Sequence, residues 1–143
     1  MRTHGAQLKP GDAERLKLEV GSAITPANET SIELNGDRGT SGPSLRVSST
    51  EVQAAIREPL EAILAGLQRL LTQVPEGRRA AVNRNGLVLS GGGAQLPGMA
   101  EFLSVRVGIP ARVARDPQTC VAVGTGMALD NMQVVRRGQH YIT

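Results

Sequence analysis

Between Val52 and Val74, apolar side chains recur every three or four residues, at Val52, Ile56, Leu60, Ile63, Leu67, Leu70 and Val74. That spacing lines them up on one face of an α-helix of about six turns. A stripe that long needs apolar partners elsewhere in the chain, so the rest of the sequence must be read for what can cover it. Ser48 and Glu51 stand three apart just before the stripe, the spacing of a reciprocal N-terminal cap, and Pro75 and Gly77 close it. Pro59 falls inside, where it removes one backbone hydrogen bond and predicts a kink.

Candidate partners lie on both sides. Upstream, Ala13, Leu16, Val20 and Ala23 fall three or four apart after Asp12, which predicts a short helix capped by Asp12 and bounded by Gly21 and Pro26. Ser31 to Leu34 and Ser44 to Val47 alternate polar and apolar residues about a Gly- and Asp-rich run from Asn35 to Pro43, the pattern of a hairpin with an open loop. Downstream, residues 76–85 read as an Arg-rich connector. Gly86 to Ser90 then forms a short apolar strand that opens onto Gly91-Gly92-Gly93 and a helix carrying Met99, Phe102, Leu103 and Val107. A second strand, Pro110 to Ala114, leads through Asp116 as cap and Pro117 as first helical residue into a small-residue helix with Val121, Gly124, Ala128 and Leu129. Two strand-helix units in succession imply parallel pairing. The expected class is α/β: helix, hairpin and long helix as an α+β part, followed by two βα units.

The core must be thin. Phe102 and Tyr141 are the only aromatic residues among 143, so Leu, Val, Ile and Ala have to fill it. Nucleic acid is a poor partner for this chain: the net charge is only +3, and the pairs Arg78-Arg79 and Arg136-Arg137 have no aromatic side chains among them for bases to stack on. No apolar run approaches the roughly 18 residues of a membrane span, the start Met1 to Gly5 has no signal-like apolar segment, and the lone Cys120 rules out an internal disulfide. These features together predict a soluble cytoplasmic chain. Cys120 reads as a buried structural thiol, His4 and His140 as solvated side chains, and Gly124 and Gly126 as sites of close helix packing.

Two segments carry the chemistry. Gly91, Gly92 and Gly93 at the end of a strand lack β-carbons, so a flat ligand can approach the backbone, and the helix start that follows offers free N–H groups. The run is equally a tight strand-to-helix turn; it has neither the P-loop nor the dinucleotide-binding spacing. On the first helix Glu14 and Lys17 share a face, as a surface ion pair or as hydrogen-bonding groups for a ribose.

Ala13 to Ala23, Arg57 to Ile63, Gly86 to Gly98 and Asp116 to Gly126 together resemble the MreB family of bacterial actin-like proteins, in the same order and across nearly the whole chain to Met132. The resemblance implies the C-terminal part of the actin-like ATPase (ribonuclease H-like) fold. Residues 1–75 would form the smaller subdomain of the second domain, residues 76–132 part of the larger nucleotide-facing one, and residues 133–143 a basic tail. It also implies ATP as the ligand, with Glu14, Arg15, Leu16 and Lys17 on the ribose side and Gly91, Gly92, Gly93, Ala94 and Gln95 against the adenosine and the adjoining phosphate. Family members form filaments through head-to-tail contacts. In the family these filaments maintain rod shape and guide cell-wall synthesis with partners at the inner membrane.

Other family parts do not occur in these 143 residues. Neither phosphate-binding hairpin is present, and no magnesium ligand or water-positioning glutamate can be identified, so no catalytic residue is assigned and ATPase activity of the chain alone is left open. Pro10-Gly11-Asp12 and the loop from Gly36 to Pro43 also depart from the family pattern. The expectation is a truncated chain holding the adenosine-side half of an ATP site. A stand-alone filament-capping module and a non-functional fragment of a disrupted gene remain open as alternatives.

Overall fold

In a computed structural model the described residues are 10–34 and 44–132. Met1 to His4, the loop from Gly36 to Pro43, and the basic tail with its Arg136-Arg137 pair, His140 and Tyr141 lie outside them.

The elements run α1 (Pro10–Val20), β1 (Ser31–Leu34), β2 (Leu45–Ser48), α2 (Ser49–Thr72), α3 (Glu76–Asn85), β3 (Leu87–Leu89), a 3-10 turn (Gly92–Gln95), α4 (Met99–Val107), β4 (Ala111–Val113) and α5 (Cys120–Asp130). β1 and β2 pair antiparallel, Ser31 opposite Ser48 and Leu34 opposite Leu45. β3 and β4 pair parallel, Leu87 opposite Ala111 and Leu89 opposite Val113, with α4 as the crossover. Both predicted βα units are therefore present.

The cap of α2 is as its sequence implies: the Ser48 hydroxyl accepts from the Glu51 N–H at 3.3 Å, and the Glu51 carboxylate accepts from the Ser48 N–H at 2.8 Å. The helix runs on through Pro59. Its stripe divides: Val52 and Leu60 are buried, whereas Ile63 and Leu70 are 48% and 63% exposed, and Leu64, outside the stripe, is buried instead.

Two apolar clusters result, and α2 belongs to both. Its first turn adds Val52 to Leu16, Val20, Leu34 and Val47. Further along, Leu60 and Leu64 pack with Ala23, Met99 and Leu103, joined by partly buried Ile56, Leu89 and Phe102. Around the second cluster, two ties join the earlier elements to the segment that carries α4. After α1, the Ala23 N–H donates to the Pro97 carbonyl at 2.8 Å, and Gly98 (φ 74) comes so close that a β-carbon there would lie 2.5 Å from Ile24 Cγ1. Between α4 and α2, the Arg106 guanidinium makes two hydrogen bonds of 2.9 Å to the Glu61 carboxylate and sits 5.6 Å above the Phe102 ring.

Several local expectations are corrected. α1 begins at Pro10, so Asp12 lies in the first turn, where its charge meets the positive helix end, and is not the cap. Residues 76–85 form the helix α3 and not a connector; Glu, Arg and Ala favour helix without drawing an apolar stripe, and α3 buries no residue. Asp116 (φ 48) and Pro117 form a turn ahead of α5, in which the Asp116 carbonyl accepts from the Thr119 and Cys120 N–H groups at 2.9 Å, and the residue preceding the helix is Thr119. Cys120 is half-buried, its Sγ 3.5 Å from the Pro117 carbonyl oxygen. A β-carbon at Gly124 or Gly126 would meet nothing within 4 Å, so neither glycine serves close packing among the described residues. No helix of the described residues is long and apolar enough to cross a membrane.

Candidate functional site

Because β3 and β4 are parallel, the turns at their carboxyl ends open on the same side of the sheet, where open α/β sheets hold their ligands. The turn after β3 contains the three glycines. Gly91 has φ 84, a left-handed conformation that favours glycine, and its N–H donates to the Pro117 carbonyl of the turn after β4 at 2.6 Å. A side chain at Gly91 or Gly93 would meet nothing within 4 Å, so this stretch of backbone is open to approach.

Opposite the glycine turn stand α1 and the middle of α2, enclosing a cleft of about 370 Å³. Small-molecule sites span about 300–1,000 Å³. Its walls are mostly apolar. Leu18, Ile56, Pro59, Ile63, Leu96 and Met99 contribute, which accounts for the exposure of Leu18 and Ile63: they face the cleft. Among the described residues, polar side chains reach in from two sides: Glu14 and Lys17 from α1, and Gln95 and Gln118 from the two turns.

Lys17 Nζ lies 2.7 Å from Glu14 Oε2, with both side chains about half exposed. In that setting the pair contributes little to stability. Its carboxylate and ammonium supply one acceptor-rich and one donor-rich group at the cleft wall, suited to a vicinal diol or a phosphate.

Glu14, Lys17, Gly92, Gly93 and Gln95 thus converge on one cleft. The other four predicted site residues stand beside it. Arg15 donates to the Glu19 carboxylate at 2.7 Å, which pushes its pKa up, and Leu16 is buried in the first cluster. Gly91 shapes the turn from behind, and Ala94 is buried beneath it. Gln118 was not among the predicted residues. Its signal in the sequence is positional: it follows the second parallel strand as the glycines follow the first. Among the described residues no group of three or more His, Cys, Asp or Glu side chains is arranged to hold a metal ion.

Comparison with solved structures gives this architecture a class. It matches MreB5 of Spiroplasma citri bound to ADP with a TM-score of 0.82 and 24% identity, covering 91% of this chain and 40% of that one. It matches the MamK double helical filament with a TM-score of 0.68 and 23% identity, over 82% of this chain and 36% of that one. The fold is that of part of an actin-like ATPase domain. The family model described as MreB/Mbl protein matches residues 1–137, and the cell shape-determining protein MreB of Escherichia coli K12 is 37% identical over 131 residues, covering 90% of this chain. The chain belongs to the MreB/Mbl family of actin-like cell-shape-determining proteins. It spans 38% of the length of that relative.

Proposed function

We propose that the cleft binds the adenosine part of ATP and that the chain acts as a nucleotide-binding, filament-forming member of the bacterial actin-like cytoskeleton, maintaining rod shape and guiding wall synthesis. The observation that carries this reading is the convergence of Glu14 and Lys17 with Gly92, Gly93 and Gln95 on one apolar cleft. Glu14 accepts hydrogen bonds from ribose hydroxyls, Lys17 holds the sugar-phosphate side, the apolar walls take the base, and the backbone of Gly91 to Ala94 admits the ligand closely. Arg15 and Leu16 orient this face of α1 through the Glu19 pair and the first cluster. The ADP bound by the Spiroplasma relative and the filament formed by MamK support the ligand class and self-association.

In this reading residues 1–75 form the smaller subdomain and residues 76–132 part of the larger, with α2 as their common element. Head-to-tail contacts join copies in the cytoplasm, and wall-synthesis proteins at the inner membrane are the partners. These 143 residues supply the adenosine side and neither phosphate hairpin, so magnesium binding and activation of the attacking water are assigned to none of them. The chain alone binds ATP in the millimolar range or more weakly and does not hydrolyse it.

The test is a nitrogen-15 NMR titration with ATP. Amide shifts at Gly92, Gly93, Glu14 and Lys17 that saturate at millimolar ATP and are lost in Glu14→Ala/Lys17→Ala are the expected result. Absence of shifts at the glycine turn would overturn the reading, and micromolar binding would overturn the half-site account.

A further inference from the structure

The turn after β4 is tied to the glycine turn twice. One tie is the backbone bond from Gly91 to Pro117, and the other is between side chains: Gln118 Nε2 donates to Gln95 Oε1 at 2.9 Å. Both amides line the cleft, and Gln118 Nε2 lies 3.9 Å from where a β-carbon on Gly92 would stand, so the pair sits directly over the glycine turn. The Gln95–Gln118 bond joins two exposed side chains that pack no core, so stability gives little reason for it.

Chemical capacity gives one. A primary amide has one acceptor oxygen and two N–H donors. Once Gln118 has donated to Gln95, the Gln118 oxygen still accepts and the Gln95 nitrogen still donates. The pair therefore keeps one free acceptor oxygen and one free donor nitrogen at the rim of an apolar slot whose other polar side chains, among the described residues, are Glu14 and Lys17. A base edge that carries an exocyclic amino group beside a ring nitrogen offers the matching donor and acceptor, the groups by which a single glutamine reads adenine.

We propose that Gln95 and Gln118 together form a base-reading edge that hydrogen-bonds the amino-substituted edge of the purine, making Gln118 a specificity-determining residue of the cleft. This rests on the nucleotide reading above. The apolar walls supply affinity common to any purine, and the amide pair adds what depends on the exocyclic group. Holding each other, the two amides lose less freedom on binding than two independent side chains would.

The experiment compares ATP with purine riboside triphosphate, which lacks the exocyclic amino group, by the same NMR titration on the full chain and on Gln118→Leu. The intact chain is expected to bind ATP roughly three- to tenfold more tightly than the unsubstituted purine, the worth of one neutral hydrogen bond. In Gln118→Leu the two nucleotides become equal, through loss of ATP affinity with the purine riboside value unchanged. Equal affinities in the intact chain, or a preference that survives Gln118→Leu, would overturn the proposal while leaving adenosine binding intact. If neither nucleotide shifts the glycine-turn amides, both readings fall. The comparison on the intact chain needs no variant and holds even if Gln118→Leu folds poorly.

Discussion

Single residues fix where the two halves of the cleft meet, and Gly98 is the most demanding of them. Its φ of 74 is unfavourable for any side chain, and Ile24 occupies the space a β-carbon would need. Gly98→Ala therefore combines backbone strain with a clash, for an expected loss of about 1–3 kcal/mol in a urea unfolding curve. Gly11→Ala, at an exposed position in α1 where a β-carbon meets none of the described residues within 4 Å, is the control that should not destabilise. Sequence makes one kind of residue legible and hides the other. The Ser48–Glu51 cap is local chemistry over three positions and can be read directly. The need for glycine at 98 depends on Ile24, far away along the chain, and no local pattern announces it. Asp116 misleads for a related reason: an aspartate before a proline suits a helix cap and a turn equally, and here the turn forms.

At the scale of elements, α2 shows how far periodicity reaches. Its spacing identifies the helix and its ends but not which of two neighbouring residues points inward. Ile63 continues the stripe on paper, yet it faces the cleft, and Leu64 takes the core position at 2% exposure. Leu64→Ala is expected to cost about 2–5 kcal/mol, as cavity-forming core truncations do. Ile63→Ala should stay within about 0.5 kcal/mol in the same unfolding measurement, as half-exposed sites do. Equal losses would mean that the helix is rotated from the orientation described. α3 is illegible because it has no fully buried residue, and a helix with only Ala81 and Val82 partly covered leaves no apolar stripe in the sequence. The paired βα units were legible, and with them the glycine turn; Gln118 required knowing that β3 and β4 are neighbours.

Taken whole, the molecule is unevenly covered. α5 buries none of its residues, and Val121, Val123, Met127 and Leu129 are each more than half exposed. An apolar surface of this kind on a free chain binds hydrophobic dyes and favours association. Replacing Val121, Met127 and Leu129 with polar residues should lower dye fluorescence markedly while shifting the unfolding midpoint little; a large stability loss would mean that these side chains are packed.

Pro59 sits in the eleventh position of the 24-residue α2, at the cleft wall, with no N–H to give the turn before it. From there to Thr72 the helix runs about 20 Å, so a bend of only about 5° at the proline would carry the far end nearly ~2 Å. The one proline inside the helix thus stands at the wall of the cleft. The helix's short arm is gripped by the first cluster, and its long arm ends at Leu71 and Thr72, beside a separate hollow formed with Val82 and Ile109. Any bend at Pro59 would have to carry Leu60 and Leu64 away from Met99 and Leu103, so the second cluster is what holds the long arm in place.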